Sequence, residues 1–455
     1  MRQSRRQSRS VGVGPRVALI CILVRASAEK GVASTTPDEV HIAFGDAADA
    51  MTVSWATEDP DVGAALVRFG LASSPPRDDR TVGGASTRFR PGPNRTIALH
   101  SAVLGGLAGG ARYRYAVGHE GGAWTGPLSF RTRAAGPPLP PARLIAFGDS
   151  GSAAVWSDRT VPYIAAEVAN ETVDAVLHLG DMAYYSQDDD GEAGDRHMRE
   201  LSHITGNGTV PLMAAPGNAE VFCFRPPDLP ADLSCMADFQ SRLVMPLWNR
   251  SHSLWSSFDV GPAHVLLLDS EAILWCNSQQ NESAMLAFAE ADLSAAAAPA
   301  ARALRPWIVV VVHRPLYSSF NSTGEQAAMR APLAPLLERH AVDLVLSGHV
   351  HSYERTWPVT GDYSETSNAT VARSFVPPDT ILNAPFPVHV VSGAAGNGES
   401  VDPFTGEGYA WTFSAARSLD HGYSRLTVFN ASHLHIDFFS VDRSAVIDEV
   451  LLVKT

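Results

Sequence analysis

The residue types best suited to chemistry sit in Leu344-Val345-Leu346-Ser347-Gly348-His349-Val350-His351, an apolar run that leads straight into two imidazoles two positions apart. Two histidines so spaced can reach two different metal ions. A continuous apolar run reads as a strand buried on both faces of a parallel sheet, and ligands of open α/β sheets collect beyond the carboxyl ends of such strands. A lone strand-end histidine is ordinarily a hydrogen-bonded structural residue, so the pair gains meaning only from its company. Other apolar runs end in the same way. Phe147-Gly148 leads into Asp149-Ser150-Gly151, Leu179 into Gly180-Asp181-Met182-Ala183-Tyr184, Ala215-Pro216 into Gly217-Asn218-Ala219-Glu220, and Val310-Val311-Val312 into His313. Each alone is turn chemistry, because Asp, Asn and Gly favour strand ends. Five together, on successive strands, point to a set of metal donors.

The elements that must position these donors follow a strand-helix alternation. Apolar strands are expected at 144–147, 175–179, 212–215, 264–268, 307–312, 344–346 and 388–391, with stretches between them such as 284–298, rich in Ala, Leu and Glu, favouring helix. That grammar implies a mainly parallel or mixed sheet covered by helices over residues 142–455, with strands of alternating polarity at 423–428, 433–439 and 446–453 closing the chain. Residues 37–133 differ. Met51, Val53 and Trp55 alternate with Thr52 and Ser54, and Tyr113, Tyr115 and Val117 alternate with Arg112, Arg114 and Ala116, the period of an antiparallel β-sandwich of about 100 residues. It gathers no catalytic residue types and reads as a structural or docking module. Residues 134–141, rich in proline, form a stiff connector.

At 455 residues the chain exceeds one usual hydrophobic core, so two domains are expected. Its formal charge of −13 becomes about −19 without the six arginines of residues 1–28, which argues against a nucleic-acid partner. Those residues read as a secretory signal peptide: an arginine-rich start, an apolar run at 17–24 too short to span a bilayer, and the small residues Ala26-Ser27-Ala28 at a cleavage site. An uncleaved anchor or a transit peptide is the alternative. Sequons at Asn94, Asn170, Asn207, Asn249, Asn281, Asn321, Asn368 and Asn430 favour the secretory route, hence a glycoprotein that is secreted or vacuolar/lysosomal, with no membrane span in its mature form. Cys223 and Cys235 can close a small loop, leaving Cys276 unpaired and a covalent homodimer open; three buried thiols are the alternative.

The five blocks resemble those of the purple acid phosphatases within the calcineurin-like metallophosphoesterases: Asp-x-Gly, Gly-Asp-x-x-Tyr, Gly-Asn-His-Asp/Glu, Val-x-x-His and Gly-His-x-His. Four stand intact. The likeness extends through Val40-His41-Ile42, Arg242 with Met245-Pro246, Ser270-Glu271, His313-Arg314-Pro315, Tyr353-Glu354-Arg355-Thr356 and Ser392-Gly393-Ala394-Ala395-Gly396-Asn397. The resemblance implies a fibronectin type III-like β-sandwich followed by an α/β sandwich metallophosphoesterase domain. It implies one metal held by Asp149, Tyr184 and His351, a second by Asn218, His313 and His349, and Asp181 bridging them. The phenolate and carboxylates suit Fe(III), whereas two imidazoles and an amide suit divalent Zn, Fe or Mn. The implied activity is hydrolysis of small phosphomonoesters by metal-bound hydroxide, with Asp181, Asn218 and His349 nearest the reaction. A phosphodiesterase or nucleotide pyrophosphatase on the same scaffold is the alternative within enzymes.

The third block departs from the pattern, with Ala219 where the family has a histidine that is not a ligand but positions the phosphate and assists the leaving group. Acid-base assistance is typically worth about 10² to 10⁴ in rate, so a weakened phosphatase is expected, or a protein that binds metal and phosphate without turnover. His197, His203 and His252 are expected to be surface residues rather than substitutes. No histidine lies between Arg314 and Arg339, where plant members often carry phosphate-facing ones, and a glycan on Asn321 would stand near the cleft mouth.

Overall fold

Alternation along Trp307–Val312 decides the layering of the molecule. Trp307, Val309 and Val311 enter a core shared with Leu144, Ala146, Val176, Leu426 and Ile436, while Ile308, Val310 and Val312 meet Met285, Ala289, Leu293, Met329 and Leu333. Period-two side chains thus put a second sheet on one side of this strand and helices on the other. In the computed structural model, residues 33–455 are described except 135, 152–156, 171–172, 222–235, 275–278, 321–322, 362–369, 374–378 and 406–411. Residues 1–28, expected as a signal peptide, all four cysteines, Asn321 and Asn368 lie outside the described residues.

Among the described residues, two seven-stranded sheets carry the α/β part. One runs Leu212–Ala214, Ala175–His178, Ala142–Phe147, Gly422–Val428, His433–Ser440, Ala445–Val453, Thr380–Leu382, its first three strands mutually parallel. The other runs Ser256–Val260, Ala263–Leu268, Trp307–Val312, Leu344–Ser347, Val388–Ser392, Tyr353–Thr356, Ser414–Ser418, parallel from the second to the fifth. Every donor-bearing block follows one of these parallel strands, so the carboxyl ends of both sheets open on one rim. Helices Gln279–Ala297 and Thr323–Arg339 cover the second sheet through the residues named above. No described helix is long and apolar enough to cross a membrane.

The amino-terminal sandwich pairs a sheet of Asp38–Phe44, Met51–Thr57, Arg95–Leu104 and Ala85–Gly92 with one of Arg80–Gly83, Ala65–Leu71, Arg112–His119 and Trp124–Arg131. It docks through charge as well as shape. The buried Arg242 guanidinium donates to Glu39 of the sandwich at 2.9 Å, to Asp195 of helix Glu192–Ile204 at 2.6 Å and to Asp238 at 2.9 Å. Arg95, from the sandwich, also reaches Asp195. Tyr115 donates to the Gly208 carbonyl at 2.7 Å and Ser202 to the Val40 carbonyl at 2.7 Å. The module is therefore tied to the helix that follows the Tyr184 loop, and its core is continuous with that of the α/β part.

Breaking a buried ion cluster by removing one partner leaves uncompensated charge, typically about 3–5 kcal/mol. Arg242→Met is expected to lower stability by about that amount in denaturant unfolding; a loss under 1 kcal/mol would contradict the docking account. His264 supplies a pH test. It lies 2.8 Å from Asp259 and 2.8 Å from Asp292, joining the sheet edge to helix Gln279–Ala297. Burial works to lower its pKa, but the two carboxylates outweigh burial and raise it from 6.5 to about 9. A raised folded-state value favours the protonated fold, so the contribution is whole below about pH 6.5 and lost as pH passes about 9. Melting of His264→Gln against the parent should show a deficit at pH 5 that shrinks by pH 9.5, and a constant deficit would count against the assignment.

Candidate metal centre

The chain reverses sharply after each parallel strand, and several donor residues occupy backbone that L-residues rarely adopt. Asp149, Asp181, Tyr184 and His349 have φ of 59°, 53°, 38° and 69°. Such residues persist only where surrounding structure over-determines them, and they cluster at functional sites. The loops also approach too closely for side chains. A methyl group at Gly348 would stand 2.5 Å from Asp149 Oδ2, and one at Gly180, φ 95°, would stand 2.6 Å from His313 Nδ1. Those two glycines let the two sheet rims meet.

What meets there is a pair of adjoining clusters. In the first, the Tyr184 hydroxyl lies 3.1 Å from Asp149 Oδ1 and 2.9 Å from His351 Nε2, with Asp149 and His351 3.4 Å apart. In the second, His313 Nε2 lies 3.1 Å from Asn218 Oδ1 and 3.3 Å from Asp181 Oδ1. Donor atoms of Asp181, His313 and His349 fall within 4.8 Å of one another. The clusters are joined through His349, whose backbone N–H donates to Asp149 Oδ2 at 2.8 Å. All seven residues expected as donors are thus brought to one rim, with Asp181 beside His313 and His349.

Neighbouring groups fix the rings. His313 Nδ1 donates to the Leu179 carbonyl at 2.8 Å, which leaves Nε2 facing Asn218 and Asp181. His351 Nδ1 faces the Ser400 carbonyl at 3.3 Å, which leaves Nε2 toward Tyr184 and Asp149. An imidazole held by its other nitrogen is the usual state of a metal ligand. Glu220 closes the second cluster from below: its carboxylate accepts the N–H groups of Asp181 at 3.0 Å, Met182 at 2.8 Å and Gly217 at 2.7 Å. One buried side chain thereby fastens the Asp181 loop to the Asn218 loop.

The electrostatics are those of donors that call for positive charge. Burial works to raise the Asp181 carboxyl, but His313 and the Ala219 N–H outweigh it and hold the group at about 2. Burial works to lower His313 and His351, but Asp181 and Asp149 respectively raise them, to about 10 and about 9. Tyr184 is pushed far above the usual phenol range by burial, then by Asp149, Asp181 and Glu399. Bound cations invert this local logic, since they stabilise the carboxylates and a phenolate together and take the imidazole lone pairs. The donor set fits metal ions.

Sequence reasoning assigned no role to several groups that shape this rim. Arg314 Nη1 stands 3.0 Å from His349 Nε2 and 2.8 Å from Glu325, while its Nε and Nη2 are clamped by buried Glu271 at 2.7 and 3.2 Å. Asn397 donates from Nδ2 to the Tyr184 oxygen at 2.8 Å. Both had a signal: Arg314 adjoins His313, and Asn397 follows a glycine after the Val388–Ser392 strand, in the grammar of the other blocks. His203 and His252 are exposed as expected, but His197 is not. It is buried, donates from Nδ1 to the Gly151 carbonyl at 3.0 Å, and lines a cavity of about 20 Å³ together with Ala219, Tyr184 and Arg242. Its place on the inward face of helix Glu192–Ile204, beside Met198 and Leu201, explains the difference.

Family models match the chain in order: the purple acid phosphatase N-terminal domain over residues 37–132, calcineurin-like phosphoesterase over 142–353, and iron/zinc purple acid phosphatase-like protein C over 386–449. Acid phosphatase type 7 of Homo sapiens is 31% identical over 439 residues, spanning 93% of this chain and 92% of that protein. Purple acid phosphatase 21 of Arabidopsis thaliana is 32% identical over 327 residues, 71% of this chain and 67% of that one. The purple acid phosphatase PPD1 from yellow lupin (Lupinus luteus) seeds shares the fold, with a TM-score of 0.75 at 24% identity over 92% of this chain and 75% of that one. Matched from sandwich to closing strands, and along nearly the whole of a relative, the chain belongs to the purple acid phosphatases, metal-dependent members of the calcineurin-like phosphoesterases.

Proposed function

We propose that this protein hydrolyses phosphomonoesters as an acid phosphatase at a dinuclear centre, with the assistance of a leaving-group acid missing. The observation that carries the reading is the meeting of two donor clusters at one rim, Asp149 with Tyr184 and His351, and Asp181 with Asn218, His313 and His349. The first set, with its phenol and carboxylate, would hold Fe(III); the second would hold divalent Zn, Fe or Mn, and Asp181 would stand between them. Such a pair supplies an activated water and charge for both the attacking and leaving oxygens of an in-line displacement.

The chain's own groups do the rest. Arg314, locked by Glu271 beside His349, presents a guanidinium to the oxygens of a bound phosphate, a charge-assisted contact held in place before the substrate arrives. Asn218 reaches the same space through its amide. At position 219 only a methyl group is offered, and its N–H is already given to Asp181 Oδ1 at 2.7 Å. No proton donor stands there for a departing alkoxide. Small phosphoesters are the proposed substrates, and a secretory setting accords with the exposed sequon asparagines Asn94, Asn170, Asn207, Asn249 and Asn430. Ala219 also favours a second reading, a protein that binds metal and phosphate without turnover.

Leaving groups separate these readings. Loaded with iron and zinc at about pH 5, the protein should hydrolyse nitrophenyl phosphate, whose anion needs no proton, far better than an alkyl phosphate. Ala219→His should raise turnover of the alkyl ester by roughly 10²-fold and that of the nitrophenyl ester much less. Equal gains for both esters would remove the missing-acid account, and metal uptake without turnover in either protein would favour the binding reading.

A further inference from the structure

The Tyr184 oxygen has three close polar neighbours among the described residues. Two of them, Asp149 Oδ1 at 3.1 Å and His351 Nε2 at 2.9 Å, belong to the donor set and turn to a cation when one is bound. The third is Asn397 Nδ2 at 2.8 Å, which is not a donor to metal. Its amide cannot rotate freely. Asn397 is buried, its Oδ1 accepts the Glu399 N–H at 2.8 Å, and its own N–H donates to the Asp149 carbonyl at 3.0 Å. With the oxygen committed to Glu399, the NH₂ group must face Tyr184, so the orientation follows from the hydrogen-bond network. Gly396, φ 100°, makes the bend that delivers it, and the segment is anchored upstream where the Gly148 N–H donates to the Ser392 carbonyl at 3.0 Å.

Resting on the proposed ferric site at Asp149, Tyr184 and His351, we infer that Asn397 is a positioning residue whose hydrogen bond to the Tyr184 oxygen sets the colour and the reduction potential of the iron bound there. A tyrosine oxygen bound to a ferric ion donates charge from its remaining lone pair. A hydrogen bond to that lone pair lowers its energy and weakens the donation, as hydrogen bonds to the donor atoms of other iron sites tune their potentials. The absorption band therefore lies at higher energy, and the ion is easier to reduce, than either would be without Asn397. The residue acts on the electronics of the centre while touching neither metal nor substrate.

Asn397→Ala removes both sides of the amide, and Asn397→Asp keeps the oxygen that accepts from Glu399 while losing the donor to Tyr184. Each full-length variant is loaded with iron and compared with the parent for iron content, visible spectrum and midpoint potential in reductive titration. The expected result is a band displaced to longer wavelength and a lower potential in both variants, at iron content equal to the parent's. A role confined to holding the loop would reduce iron content and leave the band of the remaining sites unmoved. A coloured parent whose band and potential are unchanged in the iron-loaded variants overturns this inference alone; a colourless parent that takes up no iron overturns the ferric reading beneath it as well.

Discussion

The structure depends on holding carboxylates, a phenol and imidazoles within contact of one another at a place where burial opposes their charge. Asp149, Asp181 and His313 are buried, and four donor residues sit in left-handed backbone, each costing on the order of 1–3 kcal/mol. No local preference would hold such a cluster. It persists because each donor is the last residue or loop of a strand whose side chains are locked on both faces, and because the loops have few ways to relax. Gly180 and Gly348 admit the neighbouring loop at distances no side chain would allow, and Glu220 fastens two of the loops with three N–H bonds.

The wider architecture serves the same end. Period-two alternation in Trp307–Val312 and its neighbours presses one sheet against the other and the helices against the outside, so both sheets present their parallel carboxyl ends to a common rim. The amino-terminal sandwich contributes no donor. It braces helix Glu192–Ile204 through Arg242, Glu39 and Asp195, and that helix follows directly on the loop carrying Tyr184. Arg314 is fixed in the same way, its guanidinium clamped by the buried Glu271 carboxylate beside His349.

Much of this was legible in the chain before any coordinates, because the signals were local. Apolar runs located the strands 307–312 and 344–346 to within a residue, and the donor residues at their ends needed only strand polarity to be placed at one edge. Strands such as Tyr353–Thr356 and Ser414–Ser418 carry no such signal: the polar residues of the first are buried by partners distant in sequence, and the second is half-buried throughout with no alternation to read. Helix Thr323–Arg339 carries Pro332 and Pro335, which read as helix breakers, yet Met329, Leu333 and Leu336 pack it onto the sheet. The division of strands between two sheets also lay beyond periodicity, which reports a face and not a neighbour. His197 differs from expectation for a related reason: the charged composition of Glu192–Ile204 suggests exposure, but this residue lies on the face packed against Gly151 and His178 of the α/β part. Asn397 and Arg314 stand beside legible blocks, but what each does is set by its contacts with Tyr184, His349 and Glu271, which position in the chain does not report.

The central claim is that two cations occupy the rim, one in each donor cluster. Crystals of the iron- and zinc-loaded protein, measured with X-rays tuned to the iron and zinc absorption edges, test it most directly. The account predicts one iron peak among Asp149, Tyr184 and His351, a second metal peak among Asn218, His313 and His349, and the Asp181 carboxylate between them at about 3.5 to 4 Å metal separation. A single peak, or iron bound away from Tyr184, would contradict it.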